Sequence, residues 1–427
     1  MKSLSVKTFA YTLMACSMAW TVVLLTACAP VAQKTAADTV GTSSDNRAYH
    51  PVILISIDGF KPDYLNRGVT PRLNALAASG VRAEAMRPSF PSITFPNHYT
   101  LVTGLRPDHH GIVGNTMDDA RIAGVRFKLS NSSAVLDRRW WDQAEPIWVT
   151  AEKNHVRSAI MFWPGSEAAI HGVRPSEYRP YNDKLSPADR VDTVLGWMDK
   201  PGASRPQFLT LYFDHVDHAG HEFGPDTAEV TAAVASADAA IARLTDGLRA
   251  RQIDADLIIV SDHGMAATSP ERIVQLDQIV NPLLTNVVTH GSYAGINPKE
   301  GQEEAVAKAL LQAHEHMQCW KKENLPARFE YGQNPRVPRF ICLAEVSWLV
   351  EPDAKAAAKA GKGGHGYDNV SKEMQALFIA NGPSFRQATV LPPFDNVHVY
   401  PLIMKLIHVP ALPSDGKLEA VEGALLP

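Results

Sequence analysis

Cysteine is scarce in this chain, with four residues in 427 and none of them clustered. A thiolate-built metal centre is therefore excluded. Runs of basic residues are missing too. Lysine and arginine number 41 against 45 acidic residues, for a net charge of −4. No stable nucleic-acid partner is expected from that balance. No internal repeat is visible, so a stacked-repeat architecture is not indicated. What the chain does have is an apolar fraction of 45% with 20% charged residues, enough for a sizeable core and against global disorder. An α/β enzyme often places this length in one domain.

The first residues are distinctive. Lys2 and Lys7 precede an apolar stretch over residues 9–27 that ends Leu25-Thr26-Ala27-Cys28. Such a stretch approaches the length of a membrane span, but small residues directly before a cysteine resemble a bacterial lipoprotein signal, with Cys28 as the lipidated new N-terminus. Residue 29 is Ala, and no retention-type Asp follows it. The expectation is a signal and lipidated Cys over residues 1–28, then a flexible tether over 29–48 rich in Ala, Thr, Ser and Asp. The protein is then anchored through Cys28 to outer-membrane lipid and faces the periplasm; a secreted or soluble periplasmic form is the alternative. Cys319 and Cys342 remain in the body, either bridged in that oxidising space or left as two buried thiols.

Apolar segments over 51–57, 156–162, 208–213, 257–260 and 374–380 read as strands, and 71–78, 229–248 and 399–407 as helices. The alternation predicts a three-layer α/β/α sandwich on a mostly parallel sheet, in which ligands collect beyond the carboxyl ends of the strands. The pattern changes between 284 and 362. Residues 286–296 and 344–350 look like strands, 303–319 like an amphipathic helix, and 354–364 like a mobile loop leading to His365. This predicts a catalytic core from 49–283 and 363–427 carrying a small α+β insertion over 284–362.

Chemistry-bearing residues collect at predicted strand ends and loops. Residues 88–98, Pro-Ser-Phe-Pro-Ser-Ile-Thr-Phe-Pro-Asn-His, read as a loop entering a helix near Thr94 or Phe95. Thr94 is there either an N-cap or a nucleophile placed where a helix N-terminus favours phosphate. Asp58 closes the first strand before Gly59, and Asp262-His263-Gly264 follows another apolar strand. The stretch 214–221 offers two Asp-to-His pairs four residues apart, Asp214 with His218 and Asp217 with His221. Spacing alone does not choose between them. His109, His110, His155, His171, His314 and His316 read as surface residues, and His98 as support one turn beyond Thr94.

These segments resemble the nucleotide pyrophosphatase/phosphodiesterase family, in its bacterial form, of the alkaline-phosphatase superfamily. The matching stretches are Ile57-Asp58-Gly59-Phe60, Pro91 through His98, Thr103-Gly104 through His110-Gly111-Ile112-Val113-Gly114-Asn115, and Trp163-Pro164-Gly165-Ser166-Glu167. Gly220-His221 with Gly224-Pro225, Ser261-Asp262-His263-Gly264-Met265, and Gly364 through Asn369 complete the ordered set. The resemblance implies an alkaline-phosphatase-like fold and two Zn2+ ions. One is held by Asp58, Thr94, Asp262 and His263, the other by Asp217, His221 and His365. It implies attack by Thr94 through a covalent threonyl intermediate, and Asn115 as donor to a phosphoryl oxygen. Phe95, Tyr178 and Tyr212 are implied to bind a nucleobase. The implied activity is hydrolysis of nucleotide diesters and nucleoside triphosphates to 5'-monophosphates. A lipid-head-group phosphodiesterase or phosphomonoesterase on the same fold is the alternative, and a non-catalytic binding lipoprotein is a more distant one.

Overall fold

The computed structural model describes residues 50–427. The expected signal, lipidated Cys28 and tether lie outside the described residues. Three apolar runs form the middle of the main sheet: β1 (Val52–Ile57), β5 (Phe208–Phe213) and β6 (Asp256–Val260). β1 and β6 are buried at every position, which requires cover on both faces and explains why these strands read as unbroken hydrophobic stretches rather than alternating ones. With β2 (Val81–Ala83), β3 (Ser158–Met161), β4 (Glu177–Tyr178), β7 (Phe378–Asn381) and β8 (Thr389–Leu391), they make an eight-stranded sheet in the order β8-β2-β7-β6-β1-β5-β3-β4. β1 runs parallel to both neighbours, and β7 alone is antiparallel to the strands beside it. The fold is the alkaline-phosphatase-like α/β architecture with a mostly parallel sheet.

Successive β1 side chains point to opposite faces. Val52 and Leu54 enter one core, with Leu101, Trp148 and Tyr400; Ile53, Ile55 and Ile57 enter the other, with Val234, Ile241 and Leu244. The second core rests on the long helix Ala228–Ala250, capped by Thr227, whose hydroxyl accepts from the Val230 N–H. The predicted helix and strands in this region agree with the structure to within a few residues at their ends. The short strand β2 and the edge strands β4 and β8 carry too few residues to show a pattern.

The insertion differs more. Its four-stranded antiparallel sheet has the order Thr285–Thr289, Tyr293–Pro298, Phe340–Ala344, Met317–Lys321. The single strand expected over 286–296 is thus a hairpin, and that over 344–350 is split into Phe340–Ala344 and Leu349–Glu351. The expected long helix ends at Leu310, and the rest of that stretch becomes the strand Met317–Lys321. Strong helix formers are overridden there by burial of Met317 in the insertion core and by pairing of Cys319 opposite Cys342, which form a disulfide. The expected loop over 354–364 contains a short helix, Ala354–Ala357, capped by Asp353, and ends in Gly363–Gly364, paired with Ala266–Ala267.

Candidate metal centre

The site forms beyond the carboxyl ends of β1, β5 and β6. Asp58 follows β1, and the turn after it needs glycine twice over: Gly59 has φ +68°, and a Cβ there would lie 3.1 Å from the Asp217 side chain. Asp262 and His263 follow β6, with Gly59 N–H reaching Asp262 Oδ1 at 3.3 Å. Asp217 and His221 lie one turn apart on the helix His215–Phe223, so both face the site. His365 enters directly after the short strand Gly363–Gly364.

Thr94 is the first residue of the helix Thr94–Thr103, and Ile93 is its N-cap. The Thr94 hydroxyl makes no cap bond; its Oγ lies 3.3 Å from His263 Nε2. The first-turn amide of Phe95 is taken instead by Asn115 Oδ1 at 2.9 Å. That contact fixes the carboxamide, leaving its NH2 group as a donor.

Direct distances gather the acidic and imidazole groups into two adjoining sets. His263 Nε2 is 3.5 Å from Asp58 Oδ1 and 3.0 Å from Asp262 Oδ2. His221 Nε2 is 3.5 Å from Asp217 Oδ2, and His365 Nε2 is 3.6 Å from Asp217 Oδ1. The His263 and His365 rings stack at 3.5 Å, joining the sets. Proximity also places His98 near Asp58 and Asp262. Both its nitrogens are occupied, however: Nδ1 faces Thr94 O at 2.9 Å and Nε2 faces Ser56 Oγ at 2.8 Å. It supports the cluster rather than completing it.

The ring nitrogens say what this cluster lacks. Nδ1 of His221, His263 and His365 faces a backbone carbonyl of Gly363, Gly264 and Ser92 respectively, at 2.9, 2.9 and 3.1 Å. A carbonyl only accepts, so each Nδ1 must carry the proton and each neutral ring presents a bare lone pair at Nε2. Two of those lone pairs, on His221 and His365, face each other at 3.0 Å. Asp58 Oδ1, Asp217 Oδ1 and Asp262 Oδ2 are buried without a hydrogen-bond partner. Such an arrangement is unfavourable unless cations occupy it. The donor set of imidazole nitrogen and carboxylate oxygen suits zinc.

The buried groups also perturb one another strongly. Burial, reinforced by Asp262 and Asp217, pushes the Asp58 carboxyl well above the usual range. Burial also opposes ionisation of Asp262, yet His263 and His98 hold it low. For His263, burial disfavours the charged ring but Asp262 outweighs it and the shift is upward. Burial, with His263 and His221 alongside, pushes His365 down.

The ambiguous pairs separate cleanly in space. Asp214 is bound to Arg190 at 3.0 Å and to the Tyr181 hydroxyl, while the His218 side chain is 82% exposed and, among the described residues, reaches only Glu222. The aromatic candidates are less coherent. Phe95 packs on Phe127 and Trp141. Tyr178 lies on edge strand β4 under the Arg174 guanidinium. No ring pair joins Phe95 to Tyr178 among the described residues. Tyr212 donates its hydroxyl to Asp58 Oδ2 at 2.7 Å, so it orients that carboxylate rather than facing a base. The sequence reading passed over Tyr181, which is 51% exposed with its ring 6.4 Å from that of Tyr212. Its place just after β4, three residues beyond Tyr178, was the available signal. His110, read as a surface residue, is fully buried. Ile112 N–H donates to its Nδ1 at 3.1 Å, leaving Nε2–H for Thr100 Oγ, and burial pushes its pKa down to about 3.

Comparison with known proteins bears on this geometry. A family model described as type I phosphodiesterase / nucleotide pyrophosphatase matches residues 52–368. An uncharacterized pyrophosphatase/phosphodiesterase of Schizosaccharomyces pombe is 40% identical over 395 residues, covering 88% of this chain and 79% of its own. Mouse ectonucleotide pyrophosphatase/phosphodiesterase family member 3 is 36% identical over 379 residues, covering 86% of this chain; the match spans 43% of the mouse protein. A solved structure of murine ectonucleotide pyrophosphatase/phosphodiesterase 5, an inactive variant in complex with AMP, is 33% identical and superposes with a TM-score of 0.84. It covers 88% of this chain and all of that one.

Proposed function

This chain belongs to the type I phosphodiesterase / nucleotide pyrophosphatase family, hydrolases of phosphodiester bonds, and from that membership we propose that it cleaves nucleotide diesters and nucleoside triphosphates to 5'-monophosphates, with Thr94 as nucleophile. The observation that carries the proposal is the set of three bare Nε2 lone pairs and three orphaned carboxylate oxygens converging beside the Thr94 hydroxyl.

Asp58, Thr94, Asp262 and His263 would hold one zinc ion, and Asp217, His221 and His365 a second. Bound there, the ions supply charge neutralisation of the phosphate and activation of a weak hydroxyl nucleophile. The chain does the rest. The helix start presents Thr94 Oγ to phosphorus, and the Asn115 NH2 group donates to a non-bridging oxygen. The Thr94 hydroxyl gives up its proton to solvent as the bond from Oγ to phosphorus forms and the bond to the leaving oxygen breaks, and the leaving group departs with the electron pair. Water then cleaves the threonyl ester, releasing the monophosphate and returning a proton to Thr94. Tyr212 keeps Asp58 oriented throughout, and His98 supports Asp262. Phe95, with Tyr178 or the more exposed Tyr181, supplies the base-binding surface.

Thr94→Ala should lower turnover of a nucleoside triphosphate at least about a thousandfold while zinc content and fold persist, since the nucleophile adds one hydroxyl to an otherwise complete ligand set. Wild type should give nucleoside monophosphate and pyrophosphate on chromatography; diphosphate and inorganic phosphate as main products would contradict the nucleotide reading. For location, no described helix is long and apolar enough to cross a membrane. Leu25-Thr26-Ala27-Cys28 supports a bacterial lipoprotein anchored in the outer membrane. Cys28→Ser should move the protein to the soluble fraction; unchanged fractionation would refute that anchor.

A further inference from the structure

Beside the metal centre lies a cavity of about 650 Å³ that shares Asn115, His221 and His365 with it and extends over the insertion. None of Phe95, Tyr178, Tyr181 or Tyr212 lines it. A substrate whose phosphorus faces Thr94 therefore has two ends, and the end away from the base-binding aromatics meets this cavity.

The charge of the wall is informative. Lys355 and Lys359 line the cavity, and neither ammonium has a hydrogen-bond or ion-pair partner among the described residues. The acidic groups beside them are already engaged. Glu351 is paired with His290 at 2.7 Å, and Asp353 Oδ1 caps the short helix by accepting from the Ala356 N–H at 2.8 Å. Two free cations thus remain in a cavity continuous with a site for phosphate.

The segment bearing these lysines is tied to the metal centre. Lys362 N–H donates to His221 O at 2.9 Å, Thr268 N–H to Lys362 O at 2.9 Å and Thr268 Oγ to Gly361 O at 2.6 Å. A Cβ on Gly363 would lie 2.2 Å from Gly220 O, so the strap passes against the helix carrying Asp217 and His221 with no room for a side chain. Lys359 sits two residues before this pinned strap, which limits how far it can stray.

We propose that Lys355 and Lys359 form a subsite for a polyanionic leaving group, the pyrophosphate end of a nucleoside triphosphate, distinct from the base-binding surface. The proposal rests on the hydrolase reading above and names the substrate end that reading leaves open. Charge on the leaving group is what the subsite would recognise; a neutral aryl leaving group gains nothing from it.

The test compares the zinc-loaded full chain with the double variant Lys355→Ala, Lys359→Ala on two substrates, a nucleoside triphosphate and a nucleoside 5'-(p-nitrophenyl) monophosphate. The kcat/KM for the triphosphate should fall about tenfold, less at high ionic strength, as expected for solvent-accessible charge pairs. That for the aryl ester should stay within about twofold, and the double Lys→Arg variant should retain the wild-type preference. Equal losses on both substrates, or none on the triphosphate, would overturn the subsite. Calorimetric binding of inorganic pyrophosphate, read without turnover, should weaken about tenfold in the Ala variant; unchanged affinity overturns the subsite even in an inactive protein. Failure of wild type to cleave the aryl ester would count against the hydrolase reading alone, because the binding arm still decides the subsite.

Discussion

The sheet strands that carry Asp58 and Asp262 and the insertion between residues 284 and 362 contribute to one site by different physical routes. Around β1 and β6, buried apolar runs set the strands, and acidic residues and histidines appear where each run stops. The contacts that matter there follow from topology: parallel neighbours end on the same side, so groups far apart in sequence meet. In the insertion, short strands with partly exposed faces are held by a hairpin, a disulfide and side-chain bonds to the core. It steadies the segment around His365 through Ser292, which donates to His365 O, and Arg328, which pairs with Asp368 three residues further on. A site can thus have its reactive groups fixed by a well-buried sheet while the shape around them is set by a less regular unit.

The largest break in this comparison should come from Arg336, where the insertion enters the core. Its guanidinium is buried, bonded to Asp119 Oδ2 at 2.7 Å and to the carbonyls of Gly111, Trp140 and Arg139. Arg336→Leu should cost about 3–5 kcal/mol, because it leaves three buried carbonyls without their charged donor and takes from Asp119 its buried partner, with only Arg121 left to hold that carboxylate. Chemical denaturation measures it. A loss below about 1 kcal/mol would mean the insertion and core are only loosely coupled.

Next is the Cys319–Cys342 bridge, which closes a separation of 23 residues. Removing it with the double Ser variant should cost about 3 kcal/mol by loop-closure entropy. Hydrogen exchange should locate the loss in Met317–Lys321 and Phe340–Ala344, with β1 and β6 protection little changed. Uniform loss across both regions would erase the contrast.

An effect that is absent at neutral pH and grows only in acid belongs to the core. His110 has its pKa lowered to about 3 by burial, against roughly 6.5 for an unfolded His. Between those values the unfolded state binds more protons, so stability falls as pH drops from about 6.5 toward 3 and is unaffected by this group above that window. The full contribution should be about 2–4 kcal/mol, read as the steeper acid limb of wild type relative to His110→Gln. Identical limbs would show that His110 titrates normally.

Legibility followed the same division. Apolar, largely buried strands such as Val52–Ile57 and Phe208–Phe213 could be read almost residue for residue, and the groups at their ends stood out as chemistry. The helix continued past Leu310 in the reading because Ala, Lys, Leu and Gln favour helix locally, whereas the disulfide and burial of Met317 act from distant segments. His110 looked solvent-facing beside His109 because neighbouring residues at a helix end can face opposite environments. Aromatic roles were the least legible: Tyr178 and Tyr181 are three residues apart on the same edge segment, and only packing separates them.

The central claim, that these residues hold two metal ions, is tested most directly by zinc stoichiometry. Extensively dialysed wild type reloaded with zinc should retain two ions per chain by mass spectrometry under native conditions, as the two ligand sets imply. Asp217→Ala should retain about one, because the Asp217, His221 and His365 set loses its bridging carboxylate. Asp214→Ala, altering a carboxylate already committed to Arg190 and Tyr181, should still retain two. A wild type that holds no zinc, or a loss confined to Asp214→Ala, would contradict the account.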